Sequence, residues 1–448
     1  MADSVLKFFT TMDGEGGFVV KEPPKFDLDL YIQNYRGRTR FDRLFLIGRS
    51  SVPLCVDALK AAIAEAKRGR DTVRYREAVD CLKMAAPSEP EAAYDQVWLE
   101  NTEQANRQET QRLTAELKVY KNNLLKDSVR MGNEDLGKHL ESIGDLNGAA
   151  EAYTKMRPDV STPKQIADVG KHLVRVALQR REWNMVTAHL SKASVTLSAE
   201  DEKTMQPYTK IVQGIALLGQ EKYEQAARSF LSADSSVSSS NYNEIASAND
   251  VAIYGGLLAL ASMDRKTLQS AVLDNTGFRV FLEQEPHIRR AVTQFVNARY
   301  SACIATLESC RPDCLLDIYL QKHVQRIFSE IRTKCIVQYL IPFSCVTLDN
   351  MNAAFGSPGK PIEQELVTMI REGVLQARIN TVDRVVTTIS ANPRAKMQAS
   401  ALETARKYEQ QAIDRLRRMS LAAAELELKS GRKGGLQGQQ TEIHFDEL

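Results

Sequence analysis

The sequence predicts a predominantly all-α protein: an array of stacked helical hairpins, then a small unit of three helices and a β-hairpin, then one long terminal helix. Three observations predict it. Glycine and proline are scarce, at 23 and 14 of 448 residues, while the helix formers Ala, Leu, Glu, Gln, Arg and Lys recur throughout. Gly137-Lys138-His139-Leu140 returns as Gly170-Lys171-His172-Leu173 after 33 residues, the spacing of helical-hairpin repeats. Late in the chain, three short helical patterns precede Val385-Val386-Thr387-Thr388-Ile389, β-branched enough to form a strand.

Residues 1–26 carry Gly14-Glu15-Gly16-Gly17 and Pro23-Pro24 and are expected to form a flexible leader. Residues 27–135 are expected to form an N-terminal helical arm. In it, Leu44, Ile47, Leu54, Ala58, Leu59, Ala62 and Ile63 fall at the three- and four-residue steps of helices packing on one another. Ser88-Glu89-Pro90-Glu91 reads as a capping box opening a long helix, whose second half shows a face in Leu113, Leu117, Tyr120 and Leu124. Four arginines, Arg36, Arg38, Arg40 and Arg43, cluster around Gly37 ahead of Leu44-Phe45-Leu46-Ile47 and are expected to form either a separate binding surface on this arm or the solvated start of a helix.

Residues 136–330 are expected to form the repeat solenoid. Besides the recurring tetrapeptide, a second element appears in Asp145 to Tyr153, Trp183 to Leu190, Tyr223 to Phe230 and Tyr300 to Leu307. Each sets a small residue between larger apolar ones, so that neighbouring helices approach closely and each hairpin buries its faces on the next. The pattern resembles a degenerate tetratricopeptide solenoid. Residues 331–392 spell a winged helix: helices over 331–340, 349–355 and 361–372, a strand over 374–379, a turn, and a returning strand over 385–389. The outer edge of that hairpin, with Leu375, Gln376, Ala377, Arg378, Ile379, Val385 and Val386, is expected to leave backbone groups for a partner strand. Residues 393–429 form a last helix, with a seam of Ala401, Ala405, Tyr408, Ala412, Leu416, Met419, Ala423 and Leu426 at steps of three and four. Residues 430–448 read as a disordered tail.

Composition excludes several functions. With 59 Lys and Arg against 57 Asp and Glu, no global field holds nucleic acid or an anionic membrane. The third winged-helix segment, Pro361 to Gly373, sets Glu363, Glu365 and Glu372 against Arg371 and repels phosphate. The basic stretch from Arg394 to Lys433 reads as a solvated helix face. No apolar run is long enough for a membrane span, and the first residues lack the core of a signal peptide. The final Phe445-Asp446-Glu447-Leu448 imitates a retention tetrapeptide, which counts only for a chain that enters the secretory lumen. Seven scattered cysteines, an odd number, indicate a reducing compartment. The six histidines form no His-x-His or His-Glu-x-x-His pair, and neither a phosphate loop nor a serine elbow occurs. Cys303, Cys310 and Cys314 could share one helical face, which fits core packing better than zinc. The sequence therefore offers no catalytic, cofactor or metal residues and favours an interaction protein over a thiol enzyme or a nucleic-acid adaptor.

The order of helical repeats, winged helix and terminal helix resembles the PCI family, found in the proteasome lid, the COP-nine signalosome and a translation-initiation factor. The residues narrow the resemblance to the signalosome branch. They are Tyr35-Arg36-Gly37-Arg38-Thr39-Arg40-Phe41-Asp42-Arg43-Leu44, Phe278 to Pro286, Leu315-Leu316-Asp317-Ile318-Tyr319-Leu320, Ile331-Arg332, Met351-Asn352-Ala353-Ala354-Phe355, Glu363-Gln364-Glu365-Leu366 and Ile370 to Ile379. Asn380 departs from it, standing where aspartate is expected, as do the glycines and proline of residues 356–360. The lid branch shares the Gln-Glu-Leu pattern but is not expected to carry the Tyr-x-Gly-x-x-Arg arm motif. The resemblance implies a PCI helical part from about residue 278 and a non-catalytic scaffold without cofactors, working in cytoplasm and nucleus. It also implies docking of other PCI subunits through the winged-helix hairpin and through a helix bundle containing Tyr408, Ala412, Leu416, Met419 and Leu426. The complex so formed would remove Nedd8 from the cullins of cullin-RING ubiquitin ligases.

Overall fold

The computed structural model describes residues 2–14, 16–123, 126–194, 199–234, 242–356, 361–389 and 393–424. Leu426 and the tail over 430–448 lie outside them, as do residues 357–360. The arm opens with α1 (Ala2–Gly14), α2 (Leu28–Gln33), α3 (Arg38–Ser50), α4 (Cys55–Arg68) and α5 (Thr72–Ala85). The expected flexible leader is thus in large part a helix: Val5, Phe8, Phe9 and Met12 fall at i, i+3, i+4 and i+7, and the last three are buried against α3 and α5. That amphipathic spacing was legible, but the glycines behind it drew the reading towards a linker.

A single 3₁₀ turn at Pro90–Ala92 stands where the capping box was expected. The long helix α6 (Gln96–Asn122) starts later, on Asp95, whose carboxylate accepts from the Trp98 amide. Leu113 and Leu117 are its buried face, packed towards α7 (Lys126–Ile143). Hairpins then stack: α7 with α8 (Leu146–Lys155), α9 (Pro163–Gln179) with α10 (Trp183–Ser194), and α11 (Ala199–Gly219) with α12 (Tyr223–Leu231). The recurring glycines explain the repeat. A Cβ on Gly137 would lie 2.4 Å from the Tyr153 ring of α8, and one on Gly170 would lie 2.5 Å from Ala193 Cβ of α10. Each glycine marks the point where the two helices of a hairpin touch.

The distal helices are α13 (Ala248–Ser262), α14 (Arg265–Leu268), a π-turn at Gln269–Leu273, α15 (Thr276–Leu282), α16 (Pro286–Val296), α17 (Tyr300–Leu315) and α18 (Val324–Leu340). There follow β1 (Cys345–Thr347), α19 (Leu348–Phe355), α20 (Ile362–Arg371), β2 (Ala377–Asn380), β3 (Val385–Thr388) and α21 (Pro393–Ala423). The wing is a three-stranded antiparallel sheet ordered β1-β3-β2, rather than the two-stranded hairpin read from the sequence. Strand β1 has only three residues, too short for an alternation to register.

Two large cores result. One holds α1 to α5 and the start of α6. The other runs without a break from Val174 in α9 through Phe230, Phe295 and Ile336 to Leu366 and Val386 of the winged helix. The repeats and the winged helix therefore share one interior.

Candidate docking surfaces and the arm junction

The winged helix is clamped onto the solenoid by α18. Arg332 reaches Glu365 of α20 at 2.8 Å and the Phe355 carbonyl at 2.6 Å, so one guanidinium fixes two helices. This pair also occupies one of the carboxylates on the segment tested for DNA reading. In the sheet, β3 lies between β1 and β2, so Val385 and Val386 are not edge residues, and the expectation for them is corrected. The edge strands are β1 and β2, and the edge that belongs to the expected hairpin is the outer side of β2. The Ile389 amide donates to the Gln376 carbonyl, and Arg378 faces Thr387, so bonded pairs recur at Gln376, Arg378 and Asn380. The backbone groups of Ala377 and Ile379 consequently point outward. Their side chains point inward: Leu375 and Ala377 are buried and Ile379 is half-buried. Asn380 serves the turn well, accepting from the Val382 and Asp383 amides while donating to Asp383 at 2.7 Å.

Helix α21 runs 31 residues, and none of its described side chains is buried. Tyr408 is 73% exposed, Leu416 62% and Met419 68%, with Ala412 half-covered. At 100° per residue Met397, Tyr408 and Met419 line up, flanked by Ala401, Ala405, Ala412 and Leu416. Among the described residues nothing buries this apolar stripe.

The arm arginines depart most from expectation. Arg43 of α3 is fully buried. Its Nη1 donates to Asp317 Oδ2 at 2.7 Å and to the Tyr31 hydroxyl at 2.6 Å, and its Nη2 donates to Asp250 Oδ2 at 2.8 Å. The Tyr35 ring lies 4.0 Å from the guanidinium carbon, and the Tyr35 hydroxyl donates to Asp250 at 2.8 Å. Tyr254 donates to Asp317 at 2.7 Å. Both carboxylates are also held by backbone: Asp250 accepts from the Ser247 amide in the box that caps α13, and Asp317 from those of Tyr319 and Leu320. Burial raises the Asp250 carboxyl to about 6 although Arg43 opposes the shift. Burial also pulls Arg43 down, but Asp250, the tyrosines and Asp317 outweigh it and keep the guanidinium charged.

Two of the other three arginines are paired as well. Arg38 donates to Asp71 and to the Glu141 carbonyl, and Arg40 lies 3.4 Å from Glu65. Arg36 is exposed, but its amide donates to the Asn243 carbonyl. Arg43 and Arg38 therefore tie the arm to the rest of the chain, Arg40 is paired within the arm, and Arg36 alone of the four keeps an exposed side chain. Sequence reasoning missed Asp250 and Asp317 as the partners of Arg43. The signals were the Ser247 capping box and the Leu315-Leu316-Asp317 motif, but nothing in a sequence pairs them with Arg43.

Among the described residues no cluster of three or more His, Cys, Asp or Glu could hold a metal ion. Burial raises the thiols of Cys310, Cys314 and Cys81, and lifts Cys55 to about 12, the opposite of what a nucleophile needs. Burial likewise lowers His139, His172, His189 and His323. No described helix is long and apolar enough to cross a membrane.

Comparison with known proteins agrees with this architecture. The family described as "26S proteasome subunit RPN7" matches residues 95–271, and the PCI domain matches residues 307–388. A COP9 signalosome complex subunit 1 from Neurospora crassa is 55% identical over 436 residues, 97% of this chain and 96% of its own length. Proteins of the same description from Emericella nidulans and Arabidopsis thaliana are 45% and 32% identical, covering 92% and 91% of this chain and 84% and 92% of their own lengths. A long arm, helical hairpins and a winged helix sharing one interior, matched almost end to end by these relatives, place the chain in the COP9 signalosome subunit 1 family.

Proposed function

We propose that the chain is a non-catalytic scaffold subunit of the COP9 signalosome, docking other PCI subunits through the outer edge of β2 and the apolar stripe of α21. The assembled complex then removes Nedd8 from the cullins of cullin-RING ligases, in cytoplasm and nucleus. The observation that carries this reading is α21: a 31-residue helix whose Tyr408, Leu416 and Met419 stay exposed has a seam but no groove of its own. Helices of other subunits supply the missing faces of a bundle. The lid of the proteasome is the competing assembly, since the lid-family match covers residues 95–271, but the signalosome relatives span the arm and winged helix too. Tagged full-length chain purified from cells should bring stoichiometric signalosome subunits, and removing residues 393–448 should lose them. Recovery of lid subunits, or RNA released by high salt, would overturn the reading.

A further inference from the structure

A cavity of about 330 Å³ lies between α2 of the arm and the distal helices α13, α16 and α17. Phe26 and Tyr31, stacked at 4.6 Å, give it an aromatic wall, and Leu30, Ile253, Ile288 and Leu320 add aliphatic surface. Its polar lining includes Glu285 at the head of α16, Asp313 of α17 and Asn249 of α13. Asn249 Nδ2 donates to Glu285 Oε1 at 2.8 Å, which fixes the amide's orientation and leaves its Oδ1 as an acceptor. The Lys25 amide donates to Asp313 Oδ1 at 2.9 Å. Glu285 Oε2, Asp313 Oδ2 and Asn249 Oδ1 accept no hydrogen bond among the described residues, and all three keep accessible surface. The charge here is negative after every pairing is counted. Five carboxylates line the cavity; Arg43 takes Asp250 and Asp317, and the cationic groups of the lining itself are Lys25 and the His287 ring. Asp27 is exposed and caps α2. Glu285 and Asp313 join no ion pair among the described residues, and burial raises both carboxyls.

Acceptors without donors, set among aromatic and aliphatic walls, match a ligand that carries a donor-bearing cation on an apolar body. A primary ammonium brings three N–H donors, one for each free oxygen, and its charge answers the two unpaired carboxylates. We propose that this cavity binds a small primary amine with an aromatic or branched aliphatic stem. Its ammonium is held by Glu285, Asp313 and Asn249, and its stem lies against Phe26 and Tyr31. Seated there, the amine bridges α2 of the arm to α13, α16 and α17.

Calorimetric titration of the full chain with 2-phenylethylamine, its neutral isostere 2-phenylethanol and the N,N,N-trimethyl derivative of the amine, at neutral pH and constant ionic strength, tests this. The amine should bind saturably. The alcohol, which lacks the charge, and the trimethyl compound, which lacks the N–H donors, should each bind at least about tenfold more weakly. Glu285→Gln and Asp313→Asn should each weaken the amine by about tenfold. Both substitutions relieve a half-buried charge and keep an oxygen for the existing hydrogen bond, so both variants are expected to fold, and melting without ligand verifies it. Absence of saturable amine binding, the alcohol or the trimethyl compound binding as tightly, or wild-type affinity in both folded variants would overturn the assignment.

Discussion

Arg43 and Asp317 are 274 positions apart in the chain and share an ion pair of 2.7 Å from which solvent is excluded. With Asp250, 207 positions from Arg43, the pair closes the arm onto the distal helices. Removing one member of such a network leaves a buried charge uncompensated. Arg43→Met is therefore expected to cost about 3–5 kcal/mol in urea unfolding, and adding Asp250→Asn and Asp317→Asn should recover much of that loss, because no unpaired charge remains. A single variant as stable as wild type would show that the network is not holding the arm.

The same network sets a pH response. Asp250 has a folded value of about 6, above the unfolded carboxyl, so the folded state holds this proton more tightly. Its penalty is largest above pH 6 and is relieved as pH falls from about 6 towards about 4. His139 and the half-buried His172 act in the opposite sense, since their lowered values make acid unfavourable to the fold. The diagnostic is thus a difference: between pH 7 and pH 5 the wild type should gain stability relative to Asp250→Asn. Parallel pH profiles would contradict it.

Deleting the arm through Gly48 removes Arg43 and strands two buried aspartates. The truncated chain is expected to lose soluble yield and thermal stability outright, instead of acting as a folded scaffold that lacks one surface. Thermal melting and gel filtration of the deletion decide this.

At the wing, the Ile379 amide points away from β3, so Ile379→Pro deletes an outward donor and leaves the β2–β3 ladder bonds in place. The chain should keep its far-UV circular dichroism and lose co-purifying subunits. Full recovery of partners would exclude the β2 edge as a docking site.

Because Leu416 and Met419 are exposed in the single chain, Leu416→Asp with Met419→Asp should leave its melting temperature unchanged. In the assembly both side chains would be buried, and their loss should weaken association by about 3–6 kcal/mol at the usual worth of large apolar side chains. A changed melting curve with intact assembly would reverse the assignment.

Local patterns in the sequence carried much of this architecture. The glycines of the repeat, the β-branched residues of β3 and the three- and four-residue steps of α21 each report a contact made within a few residues or along one helix face. What escaped depends on distance or brevity. Arg43 looks like any surface arginine until Asp250 and Asp317 are brought to it, and charge alone led towards an exposed cluster. Strand β1 was too short for its period to be read, which turned the central strand β3 into an apparent edge. The exposure of the α21 stripe was not legible either, because an apolar seam is written the same way whether its cover lies in its own chain or in another.

The 274-residue gap between Arg43 and Asp317 also has a meaning in time. A ribosome adding about 5–20 residues per second needs roughly 15–55 s to travel from one to the other. Throughout that interval the arm has left the ribosome with a guanidinium destined for a dry interior and no counterion to receive it. The arm can close onto the distal helices only after nearly three quarters of the protein has been made, so until then the core of α1 to α5 has to stand by itself.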